Sequence, residues 1–272
     1  MNYNKIVSLV HEAGKLVFQK QMLSDVSMKN PYDYVTAVDT GISDFMKREL
    51  YALYPDVGFM TEEEKEHSFS DKCFILDPID GTTNLLHGYR MSSVSLAYAE
   101  GGKTVFGVVY NPFNKELFFA IKGKGAHLFN ARSGIAPLLE KGVENYTAGT
   151  LSVSDRTLRE SVIEFGAGSS KKHLADETFG RAKRVFVKCL DLRRICSTAL
   201  AVSYVAAGRL DGYFEKFIHP WDYAAAILFL EEAGGKSSDW EGNDLPLDRD
   251  GSILCTNGVI HSELKDILNE GD

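Results

Sequence analysis

The segment Phe74-Ile75-Leu76 runs straight into Asp77-Pro78-Ile79-Asp80-Gly81-Thr82-Thr83-Asn84. An apolar run followed at once by acids, a proline and a glycine reads as a buried strand, a constrained turn and the start of a helix. Pro78 disfavours helix at Asp77 and fixes the turn. Two carboxylates divided by so short a turn can converge on one point. Gly81 permits close backbone approach or a positive φ. Thr82 and Thr83 can then open a helix whose free N–H groups face an anion. The segment thus offers acids for a cation beside a hole for a phosphate-sized anion. Taken alone, it is equally a capped turn with its acids in solvent.

The flanking pattern sets this segment in a layered fold. Ile6, Leu9, Val10, Ala13 and Val17 recur at helical spacing. A second helix is expected from Asp39-Thr40, either residue serving as its cap, with Ile42, Phe45, Met46, Leu50 and Leu53 as its buried stripe and Pro55-Asp56 as its end. Val94 to Tyr98, Val105 to Tyr110 and Leu117 to Ile121 read as strands, divided by Gly101-Gly102 and Asn111-Pro112. The first half therefore reads as helices on a largely antiparallel sheet. The stretch from Ser133 to Thr150, with Gly134, Pro137, Gly142 and Gly149, is the expected boundary, giving an N-terminal α+β unit over 1–140 and a C-terminal α/β unit over 141–272. Past it, Ser197 to Ala207 reads as a small-residue helix stopped by Gly208. Leu210 to Phe214 reads as a strand, Tyr223 to Ala233 as a helix stopped by Gly234-Gly235, Ile253 to Cys255 as a strand, and a last helix follows from Ser262.

A formal charge of −8 argues against nucleic acid or an anionic membrane as the main partner, since both need a basic face. It leaves an anionic substrate open, because a bound cation reverses the local sign. No apolar run of about 18 residues is present, so no membrane span is expected. His11, Glu12 and Lys15 interrupt the N-terminal apolar positions, against a signal peptide. Cys73, Cys189, Cys196 and Cys255 are scattered, which suits free thiols in a reducing cytoplasm.

Four blocks, taken in order, resemble the inositol monophosphatase family of the bacterial type across essentially the whole chain. They are Asp33-Tyr34-Val35-Thr36-Ala37-Val38-Asp39, then Thr61-Glu62-Glu63, then Asp77 to Asn84, then Trp221-Asp222-Tyr223-Ala224-Ala225 with Glu232-Ala233-Gly234-Gly235. Without that order, Glu62 to Glu64 would read as a solvated charge run, the reading kept for Glu64 and Glu66, and Asp222 as an ordinary helix cap. The resemblance implies an αβαβα sandwich of the inositol monophosphatase and fructose-1,6-bisphosphatase type. It implies Mg²⁺-dependent hydrolysis of a small polyol or sugar phosphate monoester, with inositol phosphate leading. Fructose-1,6-bisphosphatase, histidinol phosphatase and 3'-phosphonucleotide phosphatase activities are the alternatives within the superfamily, and a regulatory binding protein on the same fold is the alternative of a different functional class.

It also implies roles. Glu62, Asp77 and the Ile79 carbonyl would hold one Mg²⁺, and Asp77, Asp80 and Asp222 a second, with Glu62 helping a third. Gly81 and Thr82 would bind phosphate, and Thr82, paired with Asp39, would orient and help deprotonate the attacking water. Glu215 would bind substrate hydroxyls, Ser197 and Thr198 would line the same pocket, and Lys29 would lie in a closing loop. A homodimer inhibited by lithium is the family expectation. An all-oxygen ligand set favours Mg²⁺, or Mn²⁺, over Zn²⁺. Two departures stand out: Thr61 and Cys196 occupy positions where the family has glycine. Cys196 is expected to pack as a small hydrophobe, and Arg193-Arg194 either to meet a second anionic group or to pair with Asp191 or across a subunit interface.

Overall fold

A computed structural model describes residues 1–19, 22, 25–30, 33–64, 69–168 and 171–270; of Lys29, Asn30 and Asp33 it describes the backbone only. Helix α1 (Tyr3–Ala13) buries Ile6, Leu9, Val10 and Ala13, and a 3-10 turn at Leu16–Phe18 buries Val17. The hairpin of β1 (Val26–Asn30) and β2 (Asp33–Thr36) leads into α2 (Ala37–Leu53). Thr36 caps that helix, in place of the expected Asp39 or Thr40. Its Oγ1 accepts from the Val38 amide, while the Asp39 carboxylate reaches back to the Thr36 amide. A capping box needs its acid three residues past the cap, so Asp39 marks the third helical position rather than the start. Ile42, Met46 and Leu50 are buried and Phe45 partly so, but Leu53, the last residue of the helix, is exposed.

The next strands are β3 (Gly58–Thr61) and β4 (Lys72–Asp80). The short helix α3 (Thr82–Leu86) follows, then β5 (Ser93–Glu100), β6 (Lys103–Asn111), β7 (Glu116–Ile121) and β8 (Ala126–Asn130). They form a six-stranded sheet in the order β3-β4-β5-β6-β7-β8, antiparallel throughout except for the parallel β3–β4 pair. The antiparallel core of this sheet is as expected; β1, β2, β3 and β8 are additions, each only four or five residues long and too short for a clear period. Helix α4 (Ala136–Lys141) follows, then β9 (Val162–Phe165), α5 (Ala175–Phe186), β10 (Asp191–Arg193), α6 (Thr198–Ala206) and β11 (Gly212–Ile218). The chain closes with α7 (Pro220–Glu232), β12 (Lys236–Ser238), β13 (Gly251–Thr256) and α8 (His261–Asn269). The second sheet has the order β10-β9-β11-β13-β12. Helix α7 begins at Pro220 rather than Tyr223, because proline has no amide to lose at a first helical position.

Side-chain alternation along the strands explains the layering. On β4 and β5, Phe74, Leu76, Val94, Leu96 and Tyr98 face one core with α1 and α2. Their neighbours Cys73, Ile75, Ala97 and Ala99 face a second core shared with α6 and α7. On the other sheet, Tyr213, Ile253 and Cys255 face that same second core, whereas Ile163, Phe214 and Leu254 face a third, with residues of α5 and α8. The order is therefore helices, sheet, helices, sheet, helices, the expected αβαβα sandwich. Helices α6 and α7 are buried all round, which is why they carry so many alanines. Among the described residues, no helix is long and apolar enough to cross a membrane. All four cysteines are free.

Helix α7 approaches β6 closely. A Cβ on Gly107 would lie 2.7 Å from the Ala225 carbonyl oxygen, and Thr104 Oγ1 already donates to the Ala224 carbonyl at 2.8 Å. Gly107→Ala should therefore push α7 from the sheet and cost about 1–3 kcal/mol of stability. Urea unfolding measures it; an unchanged midpoint would mean that the helix is not held by this contact.

Candidate functional site

Asp77 and Asp80 are three residues apart, so in a regular strand they would face opposite sides. Asp77 pairs with Ser95 and Asp80 with Ser93, so three steps on β4 match two on β5. This bulge at Pro78-Ile79 resets the alternation and brings both acids to one face. Gly81 then turns the chain with φ 92°, where an added Cβ would lie 2.9 Å from the Met91 carbonyl oxygen. Helix α3 starts at the next residue, and its first-turn amides have no acceptor within the helix.

Asp80 is nearly buried at the start of α6. Its Oδ2 accepts from Ser197 Oγ at 2.5 Å and the Ala199 amide at 2.9 Å, and its Oδ1 from the Thr198 amide at 3.0 Å. Burial outweighs these bonds and pushes its pKa up to about 6. Oδ1 retains a lone pair. Asp77 is buried, and its Oδ1 has no hydrogen-bond partner. Burial first, then the charges of Glu62, Asp80, Asp222 and Asp39, hold its carboxyl well above the usual range.

The other acids arrive from separate elements. Glu62 follows β3, and its amide donates to the Leu76 carbonyl at 3.4 Å, setting it alongside Asp77 across the parallel pair. Thr61 turns the other way: it is fully buried, with Oγ1 3.3 Å from Ser43 Oγ on α2. Its side chain therefore packs toward the helix layer, and the missing family glycine adds no bulk on the Glu62 side. Asp222 is the third residue of α7 and accepts from the His219 amide at 3.0 Å. Burial, then Glu62 and Asp80, raise its pKa. His219 stacks on Trp221 at 4.6 Å and bonds Asp250 at 2.7 Å, so it flanks the site. Among the described residues, no three acidic, histidine or cysteine groups close into a preformed ion cage. The four acids instead form an open group, near enough for mutual repulsion.

Thr82 Oγ1 lies 3.0 Å from Asp39 Oδ1 and 3.1 Å from the Ile79 carbonyl oxygen, so its single proton is shared between two acceptors. Asp39 is buried, which raises its pKa against the pull of Thr36 and Thr82. Glu215, on β11, accepts from Tyr213 Oη at 2.5 Å and from the Gly168 amide at 2.9 Å, and Tyr213 Oη lies 2.8 Å from Thr198 Oγ1. Burial raises the pKa of Glu215, while the bonds from Tyr213 and Gly168, then the charge of Arg194, oppose the rise. Arg193 pairs with Asp191, as one expectation had it. Glu64 pairs with Lys47, whereas Glu66 and the side chain of Lys29 lie outside the described residues.

Cys196 does not pack as a small hydrophobe: it is exposed, with φ 62°. The left-handed turn supplies the reason, since it directs the side chain away from the core that receives Ser197. Sequence reasoning gave no role to Asn84, whose Nδ2 donates to the Met91 and Ile195 carbonyls at 2.7 Å each. Its place as the last residue of the Asp77–Asn84 block was the available signal. Tyr213 and Glu164, both on the second sheet, had no such signal.

A family model described as the inositol monophosphatase family matches residues 3–270. An inositol-1-monophosphatase of Rhizobium meliloti (strain 1021) is 35% identical over 270 residues, 97% of this chain and 95% of that protein. A Nus factor SuhB of Pasteurella multocida (strain Pm70) is 32% identical over 272 residues, 98% of this chain and 94% of that protein. The solved structure of extragenic suppressor protein suhB from Bartonella henselae aligns with a TM-score of 0.85 at 34% identity, covering 99% of each chain.

Proposed function

This chain belongs to the inositol monophosphatase family, and from that premise we propose that it hydrolyses the phosphate monoester of a small polyol or sugar, with a myo-inositol phosphate as substrate. The observation that carries the reading is the buried Asp77 Oδ1, without a donor, among three further acids and beside the Gly81 turn. Like charges about 4 Å apart repel by roughly 4 kcal/mol at an effective dielectric near 20. Ionising such a group at neutral pH costs free energy that a bound cation offsets, and its donors are all oxygen, which fits Mg²⁺ or Mn²⁺. Glu62, Asp77 and the Ile79 carbonyl would hold one ion, and Asp77, Asp80 and Asp222 a second, with Glu62 helping a third. When bound, Mg²⁺ lowers the pKa of the nucleophilic water and offsets the charge of the departing alkoxide.

The chain's own residues supply the rest. The Gly81 and Thr82 amides hold the phosphoryl oxygens. Thr82 donates its proton to Asp39 Oδ1, 3.0 Å away, and its oxygen accepts one from the attacking water. The raised pKa of Asp39 makes it a better terminus for that proton. Ser197 and Thr198 fix Asp80, and Glu215 receives a substrate hydroxyl at the pocket wall. The reading includes a cytoplasmic homodimer inhibited by lithium.

A Mg²⁺-dependent phosphate-release screen over inositol, sugar and nucleotide monophosphates, with and without lithium, tests it. Inositol phosphates should rank first. A higher rank for sugar or nucleotide substrates would move the assignment to another member of the superfamily. The name of the Pasteurella relative favours a second reading, a regulatory binding protein on the same fold, and absence of turnover on every substrate would select it. Glu215→Gln should change KM for inositol phosphates several-fold, with a smaller change in kcat, and reorder the substrates. An unchanged ranking would remove Glu215 from specificity.

A further inference from the structure

Glu164, on β9, lies behind this site and has no part in the reading above. It is 1% exposed, on a strand whose neighbours Ile163 and Phe165 face the opposite core. Its Oε1 accepts from the Ile195 amide at 2.7 Å, and its Oε2 has no hydrogen-bond partner. Burial, helped by the charges of Asp80 and Glu215, pushes its pKa up to about 8.

Asn84 holds the next two peptides, donating to the Ile195 carbonyl at 2.7 Å and the Cys196 carbonyl at 3.4 Å. Between these two grips Cys196 keeps φ 62°, a conformation that side chains other than Gly, Asn and Asp rarely adopt. The Cys196 carbonyl oxygen would lie 3.2 Å from a Cβ on Gly81, so this turn abuts the anion turn directly. The next residues, Ser197, Thr198 and Ala199, make the three bonds to Asp80. A shift of the Cys196 turn is therefore passed to Asp80 by its covalent neighbours.

We propose that Glu164 is a positioning residue: its buried carboxyl accepts the Ile195 amide and, with Asn84, holds the left-handed Cys196 turn that sets Ser197, Thr198 and Ala199 against Asp80. The consequence for turnover rests on the phosphatase reading, whereas the hold on the turn does not. The strain at Cys196 explains why a carboxyl is retained there at the cost of burying it, since a glycine at 196 would adopt the turn unaided.

The test compares Glu164→Gln, Glu164→Met and the Glu164→Met/Cys196→Gly pair in the full chain. Amide hydrogen exchange of residues 195–199 in Mg²⁺-free protein is read beside kcat and KM with Mg²⁺. Met matches Glu in volume, so the fold should survive. In the Met variant, exchange at 195–199 should rise about tenfold or more while β5 and β6 stay protected. Its kcat should fall by about tenfold, with KM moving less. Gln keeps the accepting oxygen and should hold both readouts within about threefold of the parent chain. Glycine at 196 should restore at least a third of the lost kcat, because it removes the strain that the clamp opposes. Unchanged exchange in the Met variant, a Gln variant as defective as Met, or no recovery with glycine would each overturn the proposal. So would a Met variant that does not fold, which would make Glu164 a general core acid. The exchange arm decides the clamp even where the parent chain releases no phosphate, so the two readings fail separately.

Discussion

Asp80→Asn should lower phosphate release at saturating Mg²⁺ by at least about a thousandfold, equivalent to roughly 4 kcal/mol of transition-state stabilisation. The side chain keeps its shape but loses the charge that would share a cation with Asp77 and Asp222. Its amide also presents donors to Ser197 Oγ and to the Thr198 and Ala199 amides, which now donate to the carboxylate. Thr198 bonds one carboxylate oxygen and Ala199 the other, so either Asn orientation sets its NH2 against a backbone amide, at about 1–3 kcal/mol, and the start of α6 is held less well. Metal-free stability should nonetheless not fall, because a gain of on the order of 3 kcal/mol at neutral pH offsets that loss. The pKa of Asp80 is raised to about 6, so ionising it at neutral pH costs the folded state free energy that a neutral amide avoids. Thermal melts in EDTA at pH 7.5 should show a midpoint equal to or above that of the parent chain. Loss of activity with retained metal-free stability is the signature of a ligand; turnover close to the parent's would remove Asp80 from the site.

The order of layers was implied by the resemblance, whereas the residues alone gave helices on an antiparallel sheet and an α/β second half, because strands buried on both faces show no apolar period. Phe74 and Leu76 face one core and Cys73 and Ile75 the other, so that run is apolar throughout. The convergence of Asp77 and Asp80 was legible as a local turn, but its cause lies in the partner strand: only the pairing with Ser95 and Ser93 reveals the bulge. Asp39 was assigned to the site, yet its helix was started late, because the capping Thr36 belongs to a short strand with no period of its own. Cys196 defied expectation because φ is set by what grips the peptides around it. Those grips, Glu164 and Asn84, lie 31 and 111–112 residues away in sequence. Long-range polar contacts to backbone have no spacing rule, so second-sheet residues such as Tyr213 and Glu164 are invisible in a one-dimensional reading.

Raising the pH from 5 to 8 should destabilise the metal-free protein, and Mg²⁺ should restore most at the alkaline end. The sign follows from the direction of the shifts. A carboxyl whose folded pKa exceeds its unfolded value binds its proton more tightly in the folded state. That contribution is complete below about pH 4, where both states are protonated. It is lost as pH rises through the folded value, about 6 for Asp80 and about 8 for Glu164. Asp77 and Asp222 shift in the same direction. Between pH 5 and 8 about one unit of the Asp80 shift is lost, on the order of 1.4 kcal/mol, or roughly 3–6 °C in Tm for a chain of this size. Protons and cations compete for the same oxygens, so saturating Mg²⁺ should raise Tm strongly at pH 8 and little at pH 5. Glu164 lies behind this group and should keep its share of the loss with Mg²⁺ present. Asp80→Asn should reduce the difference between the two Mg²⁺ shifts, since one of the competing acids is gone. Calorimetric scans at both pH values, with EDTA or Mg²⁺, measure all of this. A metal-free Tm that climbs from pH 5 to 8, or a Mg²⁺ shift equal at both, would mean that these acids do not share one ion-binding group.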